Sequence, residues 1–125
     1  MPGELGRTGR AAIGTGYGLG AQRRLAHKAD FERLLREGVR QSRSGYTFFI
    51  QMRTQGPARL GMLVTRRHAA RATVRNRIKR CIREAFRLEQ ASLGAMDVLV
   101  RPPFGARPGV HMLGRLRELF LGLRK

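Results

Sequence analysis

The feature that most restricts the fold of this chain is a basic amphipathic segment from Arg75 to Arg87, which reads RNRIKRCIREAFR. Six of its thirteen residues are basic, and its only acid is Glu84. At about 100° per residue, the apolar side chains fall on one side of a helix. They are Ile78, Cys81, Ile82, Ala85 and Phe86. The pattern therefore predicts a helix that packs on a core through one side.

The basic residues of the segment form a second stripe on this predicted helix. Four of them are spaced four apart, and two more polar residues flank them: Arg75, Lys79, Arg83 and Arg87, with Asn76 and Arg80. Each like-charge pair at this spacing destabilises a helix by about 0.2–0.5 kcal/mol, and a bound polyanion would remove the repulsion. A solvated surface helix usually alternates acids with its bases, and this one does not. The stripe therefore predicts a nucleic-acid-binding surface.

Asn76 and the residues just before the helix extend this prediction. The loop from Arg66 to Arg71 adds three arginines, Arg66, Arg67 and Arg71. Asn is a poor residue for a helix interior. Its amide could cap the helix, or bond to RNA or to a metal-bound water, and of these we favour capping.

The overall charge supports an anionic partner. The 125 residues include 26 Lys and Arg against 8 Asp and Glu, a net charge of +18. Nucleic acid is the leading candidate, because the apolar side of the basic helix is too small for a membrane-bound helix. No transmembrane run or signal peptide is present, and Cys81 is the only cysteine. A single cysteine forms no disulfide within the chain, which fits a cytoplasmic protein.

The periodicity along the chain predicts one α+β domain with a mixed sheet. Residues 1–22 form a Gly- and Arg-rich tail that we expect to be flexible, and residues 23–125 form the domain. The predicted helices are His27–Glu37, the basic helix ending near Leu88–Gln90, and Val110–Leu123. The predicted strands are Tyr46–Met52, Arg59–Thr65 and Asp97–Arg101, with a further short strand at Val39–Ser42. On the strand from Tyr46, alternation places Phe48 and Phe49 on opposite faces.

The sequence indicates no catalytic or metal site in the protein itself. The histidines His27, His68 and His111 match no metal-ligand spacing. Asp30 and Asp97 are far apart in sequence and have no acidic neighbours, whereas metal-assisted hydrolysis needs clustered ligands.

The pattern Arg75-Asn76-Arg77-x-Lys79-Arg80-x-x-Arg83 resembles the signature of the protein subunit of bacterial ribonuclease P. Four further features agree over residues 23–123. They are the strand from Arg59 to Val64, the pair Arg66-Arg67 where the family usually has two lysines, the helix from Asp30-Phe31 to Gly38, and the Asp-led segment Asp97–Val100.

The resemblance implies a fold of order α-β-β-β-α-β-α, with the basic helix inside a left-handed crossover between parallel strands. It also implies that the protein is not the catalyst. Its partner, a catalytic RNA that holds Mg²⁺, removes the 5′ leader of precursor tRNA. The protein subunit binds that RNA and the leader, and no cofactor is expected on the protein alone.

Site residues carry over from the family position by position. Phe31 and Phe49 match aromatics of a leader-binding cleft between the first helix and an exposed sheet face, and Leu35 stands where many members have another aromatic. From the residues alone, both phenylalanines would be core. The remaining set is expected to bind catalytic RNA or substrate: Arg66, Arg67, Arg71, Arg75, Asn76, Arg77, Lys79, Arg80, Arg83 and Arg87. The motif helix is expected to face mainly the catalytic RNA.

Two other functions fit parts of the sequence. A basic ribosomal protein or RNA chaperone would have the same composition, although the Arg-Asn-Arg signature disfavours it. A stand-alone nuclease is disfavoured by the lack of clustered acids. The sequence leaves leader preference and oligomeric state open.

Overall fold

A computed structural model of the chain describes Leu25 and residues 27–123, and the predicted tail, residues 1–22, lies outside this part. The described elements follow the order α-β-β-β-α-β-α, as the resemblance implied. They are α1 (Lys28–Glu37), β1 (Val39–Arg43), β2 (Tyr46–Met52), β3 (Arg59–Met62), α2 (Ala72–Leu93), β4 (Met96–Arg101) and α3 (Val110–Leu121).

The four strands form one mixed sheet in the order β1-β2-β4-β3. β1 and β2 are an antiparallel hairpin, whose turn residues Ser44 and Gly45 have φ angles of 54° and 83°. Positive φ at both positions is typical of the tight turns that match strand twist. β4 pairs antiparallel with β2 and parallel with β3. Because α2 connects β3 to β4, it forms the expected crossover between parallel strands.

One face of the sheet carries the main core. Phe48 of β2 points to this face, where Phe86 of α2 and Phe120 of α3 meet it. The Phe48 and Phe120 rings are 5.5 Å apart, and those of Phe86 and Phe120 are 5.9 Å apart, both edge-to-face. Edge-to-face contacts of this kind add specific geometry to apolar burial. The predicted alternation of β2 is therefore confirmed.

The other face carries a smaller cluster beneath α1. Phe31, Leu34, Phe49 and Leu99 pack there with Leu25, whose N–H donates to the Leu60 carbonyl at 2.9 Å. Gly61 of β3 makes this close packing possible, because a Cβ at that position would lie 3.0 Å from the Phe31 ring. Leu35, which stands where many family members have another cleft aromatic, does not join this cluster, since its side chain is 45% exposed.

Several element boundaries differ from the predictions. α2 begins at Ala72 with Arg71 as its N-cap residue, so Asn76 is an exposed residue inside the helix and not a cap. β3 ends at Met62 and not at Thr65, because the chain turns at Thr65, whose carbonyl accepts from the His68 and Ala69 N–H groups. α3 likewise ends two residues early, at Leu121.

Gly38 ends α1, as predicted. Its N–H donates to the Leu34 carbonyl at 2.9 Å. A Cβ at this position would lie 2.6 Å from that same oxygen, so a side chain would force the strand away from the helix. None of the described helices has the length and apolarity needed to cross a membrane.

Candidate nucleic-acid interface

The apolar side of α2 is the part that the sequence predicted best. Ile78, Ile82, Ala85 and Phe86 are fully buried against the sheet and α3. Cys81 lies at the margin of this surface, half-buried, with its Sγ 3.8 Å from the Gly109 carbonyl oxygen. The buried side fixes how α2 is rotated, and therefore which residues it presents to solvent.

The exposed basic surface joins α2 to the loop before it. Its arginines are exposed and form no ion pair with any described carboxylate. They are Arg66, Arg67 and Arg71 in the loop, and Arg77 and Arg80 on α2. Asn76 is exposed beside them. We call these five arginines the arginine surface. Clustered unneutralised guanidinium groups are suited to bidentate contacts with phosphates.

The predicted ladder of four bases is not one exposed stripe. Arg75 donates through Nη1 to the carbonyls of Ala69 and Ala70, at 3.0 and 2.9 Å, and so fixes the preceding loop. Arg83 is only 8% exposed. The exposed stripe is therefore displaced from this ladder towards Arg77 and Arg80, because the core residues rotate α2 in that direction.

The end of the ladder is neutralised by the acid that the sequence placed outside it. Arg87 forms an ion pair with Glu84, and its Nε lies 3.1 Å from Oε1. Hydrogen bonding to Arg87 lowers the pKa of the Glu84 carboxyl. Arg87 is consequently less available to an external phosphate than Arg77 or Arg80.

Lys79 is held in surroundings that oppose its positive charge. Its pKa is lowered first by burial and then by the positive charges of Arg75 and Arg83. The like-charge repulsion expected from the spacing is therefore present on this side of α2. An anion bound close to Lys79 would offset both effects, because it stabilises the charged ammonium.

The predicted cleft residues lie together under α1, but their rings are covered. Phe31 is 8% and Phe49 is 7% exposed. The expectation that Phe49 lies on an exposed sheet face is wrong for this conformation, because Leu25 and α1 lie over it. The Arg40 guanidinium is 6.0 Å from the centre of the Phe49 ring, so positive charge is close to the cluster. Leu35 lies outside this cluster, on the exposed side of α1.

A buried carboxylate beside this cluster was missed by sequence reasoning. Asp97 at the start of β4 is 0% exposed and accepts from three arginines. Arg33 Nη2 lies 3.2 Å from Oδ2, Arg53 Nε 2.8 Å from Oδ1, and Arg59 Nη2 2.7 Å from Oδ2. Arg33 also pairs with Asp30 at 2.9 Å, so α1 is tied to the sheet through an ionic network with excess positive charge.

This network was hard to find because its arginines come from three separate elements. Arg33 belongs to α1, Arg53 follows β2, and Arg59 begins β3. The available signal was Asp97 itself, a charged residue opening an otherwise apolar strand. A carboxylate buried at such a position needs charged or hydrogen-bonding partners. Among the described residues, no group of three or more His, Cys, Asp or Glu side chains is placed to hold a metal ion.

Comparison with known proteins decides the family. The family model described as Ribonuclease P matches residues 19–120. The chain belongs to the ribonuclease P protein family. The resemblance in the segment from Arg75 to Arg83 is thereby confirmed.

Individual relatives of the ribonuclease P family cover nearly the whole chain. The ribonuclease P protein component of Nitrosococcus oceani is 35% identical over 111 residues, 87% of this chain and 93% of that protein. The Methylococcus capsulatus component is 38% identical over 118 residues, 93% of this chain and 92% of that protein. Both relatives are thus matched over more than nine-tenths of their own length.

Solved ribonuclease P proteins share the fold. The Thermotoga maritima protein superposes with a TM-score of 0.70 at 25% identity, over 82% of this chain and 98% of that one. The Staphylococcus aureus protein gives a TM-score of 0.69 at 25% identity, over 77% and 90%. The α+β domain with a mixed four-stranded sheet is therefore the ribonuclease P protein fold.

Proposed function

We propose that this chain is the protein subunit of ribonuclease P, which binds the catalytic RNA and the 5′ leader of precursor tRNA and promotes endonucleolytic removal of the leader. The observation that carries the proposal is the arginine surface. It spans the helix with the family signature and the loop before it, and its members lack ion pairs within the described part of the chain. Its charge is therefore available to RNA phosphates.

We assign the two RNAs to two surfaces. The arginine surface is rigid, because the buried side of α2 and the two hydrogen bonds of Arg75 fix it. A rigid cationic surface suits a large folded partner, here the catalytic RNA. The cluster with Phe31 and Phe49 suits the single-stranded leader, because bases stack on aromatic side chains. Access to Phe49 requires α1 or Leu25 to move, since both lie over its ring.

In this proposal the RNA subunit performs the cleavage and holds the Mg²⁺. The donor set of the protein fits this division, because every described acid is paired with a base. Asp30 and Asp97 bind arginines within the network beneath α1, and Glu89 accepts from Arg117 Nε at 2.6 Å. Glu32, Glu37, Glu84 and Glu118 each pair with a neighbour on their own helix. These carboxylates are poorly placed to act as a cluster of metal ligands.

The test is reconstitution with the catalytic RNA and precursor tRNA at low Mg²⁺. We expect the full chain to raise the cleavage rate, and Arg77→Ala with Arg80→Ala to remove most of that gain. Arg115→Ala is the matched control, because Arg115 is an exposed arginine on α3 paired with Glu118. No gain with the unmodified protein would contradict the proposal.

The same experiment separates the two rival functions. Equal affinity for an unrelated folded RNA of the same length would favour an RNA chaperone or a ribosomal protein. Cleavage of precursor tRNA by the protein without any RNA subunit would favour a stand-alone nuclease.

A further inference from the structure

An aromatic side chain that plays no part in the surfaces above is exposed beside the basic loop. Phe104 is 62% exposed in the segment between β4 and α3. It lies at a turn, in which the Ala106 N–H donates to the Pro103 carbonyl at 3.3 Å and Gly105 has a φ of 77°. Glycine at the third position of such a turn accepts positive φ without strain. The backbone therefore holds the ring out from the domain.

The turn is fixed to the loop that carries Arg66 and Arg67. The Gly105 N–H donates to the His68 carbonyl at 3.1 Å. The rings of His68 and Phe104 are 4.8 Å apart and tilted by 54°, and the Arg67 guanidinium carbon lies 5.3 Å from the Phe104 ring centre. An exposed aromatic that is positioned by three contacts loses little conformational freedom when it binds.

His68 supports this arrangement from below. It is 3% exposed, and its Nδ1 accepts the Thr65 N–H at 2.9 Å, which leaves the proton of the neutral ring on Nε2. Burial, with the charges of Arg101 and Arg67, lowers the pKa of His68. The ring beneath Phe104 is therefore a fixed, neutral imidazole at physiological pH.

The charge around Phe104 favours RNA over protein as the ligand. Neither residues 63–71 nor residues 101–109 include an acid. Five arginines lie within these two segments: Arg66, Arg67, Arg71, Arg101 and Arg107. An exposed aromatic ring within basic surroundings is the combination by which proteins bind unpaired nucleotides. A protein partner would need a strongly acidic surface to match.

We propose that Phe104 is a stacking site for an unpaired RNA base, and that Arg67 contacts the phosphate of the same or the next nucleotide. The Arg67 guanidinium carbon, 5.3 Å from the ring centre, shows that a flat cation already lies over the Phe104 ring. Arg67 is exposed, so it can move to a phosphate when a base takes its place on the ring. This site rests on the proposed function. It lies on the segments that precede α2 and α3, and is separate from the cluster beneath α1.

The first test compares four variants of Phe104 in RNA-binding and reconstituted cleavage assays. Phe104→Ala and Phe104→Leu should lower RNA affinity about 5- to 150-fold, the range that one base–aromatic stack gives. Phe104→Tyr and Phe104→Trp should keep nearly full affinity. If Leu retains affinity as well as Tyr does, the ring only shields His68 and the proposal fails.

The second test uses fluorescence, because the natural chain contains no tryptophan. In Phe104→Trp, emission should be quenched when a base stacks on the indole. Leu121→Trp is the matched control, since Leu121 is 59% exposed on α3, and its emission should change little. Quenching by the catalytic RNA alone assigns the base to that RNA, and quenching only after addition of precursor tRNA assigns it to the substrate.

The outcomes keep this site distinct from the proposed function. The stacking site alone is overturned if the unmodified protein activates cleavage normally, Phe104→Ala keeps its RNA affinity, and the emission of Phe104→Trp is not quenched. Failure of the unmodified protein to bind or activate the catalytic RNA overturns both proposals.

Discussion

The two faces of the sheet are built by different means. On one face, α2 and α3 cover the sheet with a broad apolar core that includes Phe48, Phe86 and Phe120. On the other, α1 and Leu25 cover a small apolar cluster, and the ionic network around Asp97 ties α1 in place. The first face is held mainly by apolar packing, whereas the second combines a few apolar contacts with charge.

The difference indicates where the domain can move. Removing a helix from the broad core would expose many apolar side chains, which is costly. Opening the cluster beneath α1 exposes few, and arginines released from Asp97 would be hydrated or would meet phosphates. The face with fewer apolar contacts is therefore the better candidate for binding a flexible strand, and the broad face supports the rigid arginine surface.

The adjacent residues Phe48 and Phe49 test this comparison most directly. Phe48→Ala should lower the free energy of unfolding by about 3–5 kcal/mol, because the broad core cannot collapse around the cavity. Phe49→Ala should lower it by less, about 3 kcal/mol at the lower end of that range, because α1 can settle onto the sheet. Urea unfolding measures both. Equal losses would show that the two faces are equally rigid.

The ionic network gives the second-largest expected effect. Asp97→Asn should lower the free energy of unfolding by about 3 kcal/mol, because it leaves three arginines around an uncharged buried amide. Glu84→Gln is the control, since that carboxylate is exposed to solvent and, within the described residues, pairs with Arg87 alone. Thermal unfolding monitored by circular dichroism compares the two. A stable Asp97→Asn variant would mean that apolar contacts alone hold α1.

Salt dependence separates binding by charge from binding by stacking. Arg80→Ala should reduce the slope of log K against log salt for the catalytic RNA by about 0.7–0.9, the value for one phosphate contact. Phe49→Ala should weaken leader binding with little change in slope. Titrations at several salt concentrations measure both. An unchanged slope in Arg80→Ala, and in Arg66→Ala, would show that the arginine surface is only solvated.

The smallest expected effect comes from His68, in the loop that joins the sheet to α2. This residue should make the free energy of unfolding depend on pH. Burial lowers the pKa of His68 below its ordinary value of 6.5. Between that lowered pKa and 6.5, the unfolded chain binds a proton that the folded chain does not, so stability should fall as pH falls. Unfolding free energies measured from pH 7.5 to 5 should show a flatter profile in His68→Gln. His111→Gln, at an exposed position on α3, should keep the original profile.

Periodicity predicted the parts of the fold that depend on local pattern. The range Tyr46–Met52 and the opposite orientation of Phe48 and Phe49 are as expected, because alternation is set by the strand backbone. The buried side of α2 followed from its 3.6-residue period. The family pattern from Arg75 to Arg83 then placed the basic helix within a known fold.

Features that depend on several elements at once were not predictable from local pattern. The burial of Arg83 follows from the packing of α2, and its charge suggested the opposite. Asp97 looked like an isolated acid, because Arg33, Arg53 and Arg59 reach it from distant parts of the chain. Phe104 gave no periodic signal, since it lies in a turn. Its neighbours in sequence, Pro103 and Gly105, were the only indication that it would be held outward.

The position of β4 has a consequence for how the protein is made. β2 and β3 do not pair with each other; both pair with β4, which begins at Met96. During synthesis, the β1–β2 hairpin and α2 can therefore form before any strand exists that joins β2 to β3. Pairing distant segments is slow, and incomplete chains expose apolar surface. The nascent chain consequently presents its amphipathic basic helix, without the full cover of its apolar side, until β4 has left the ribosome.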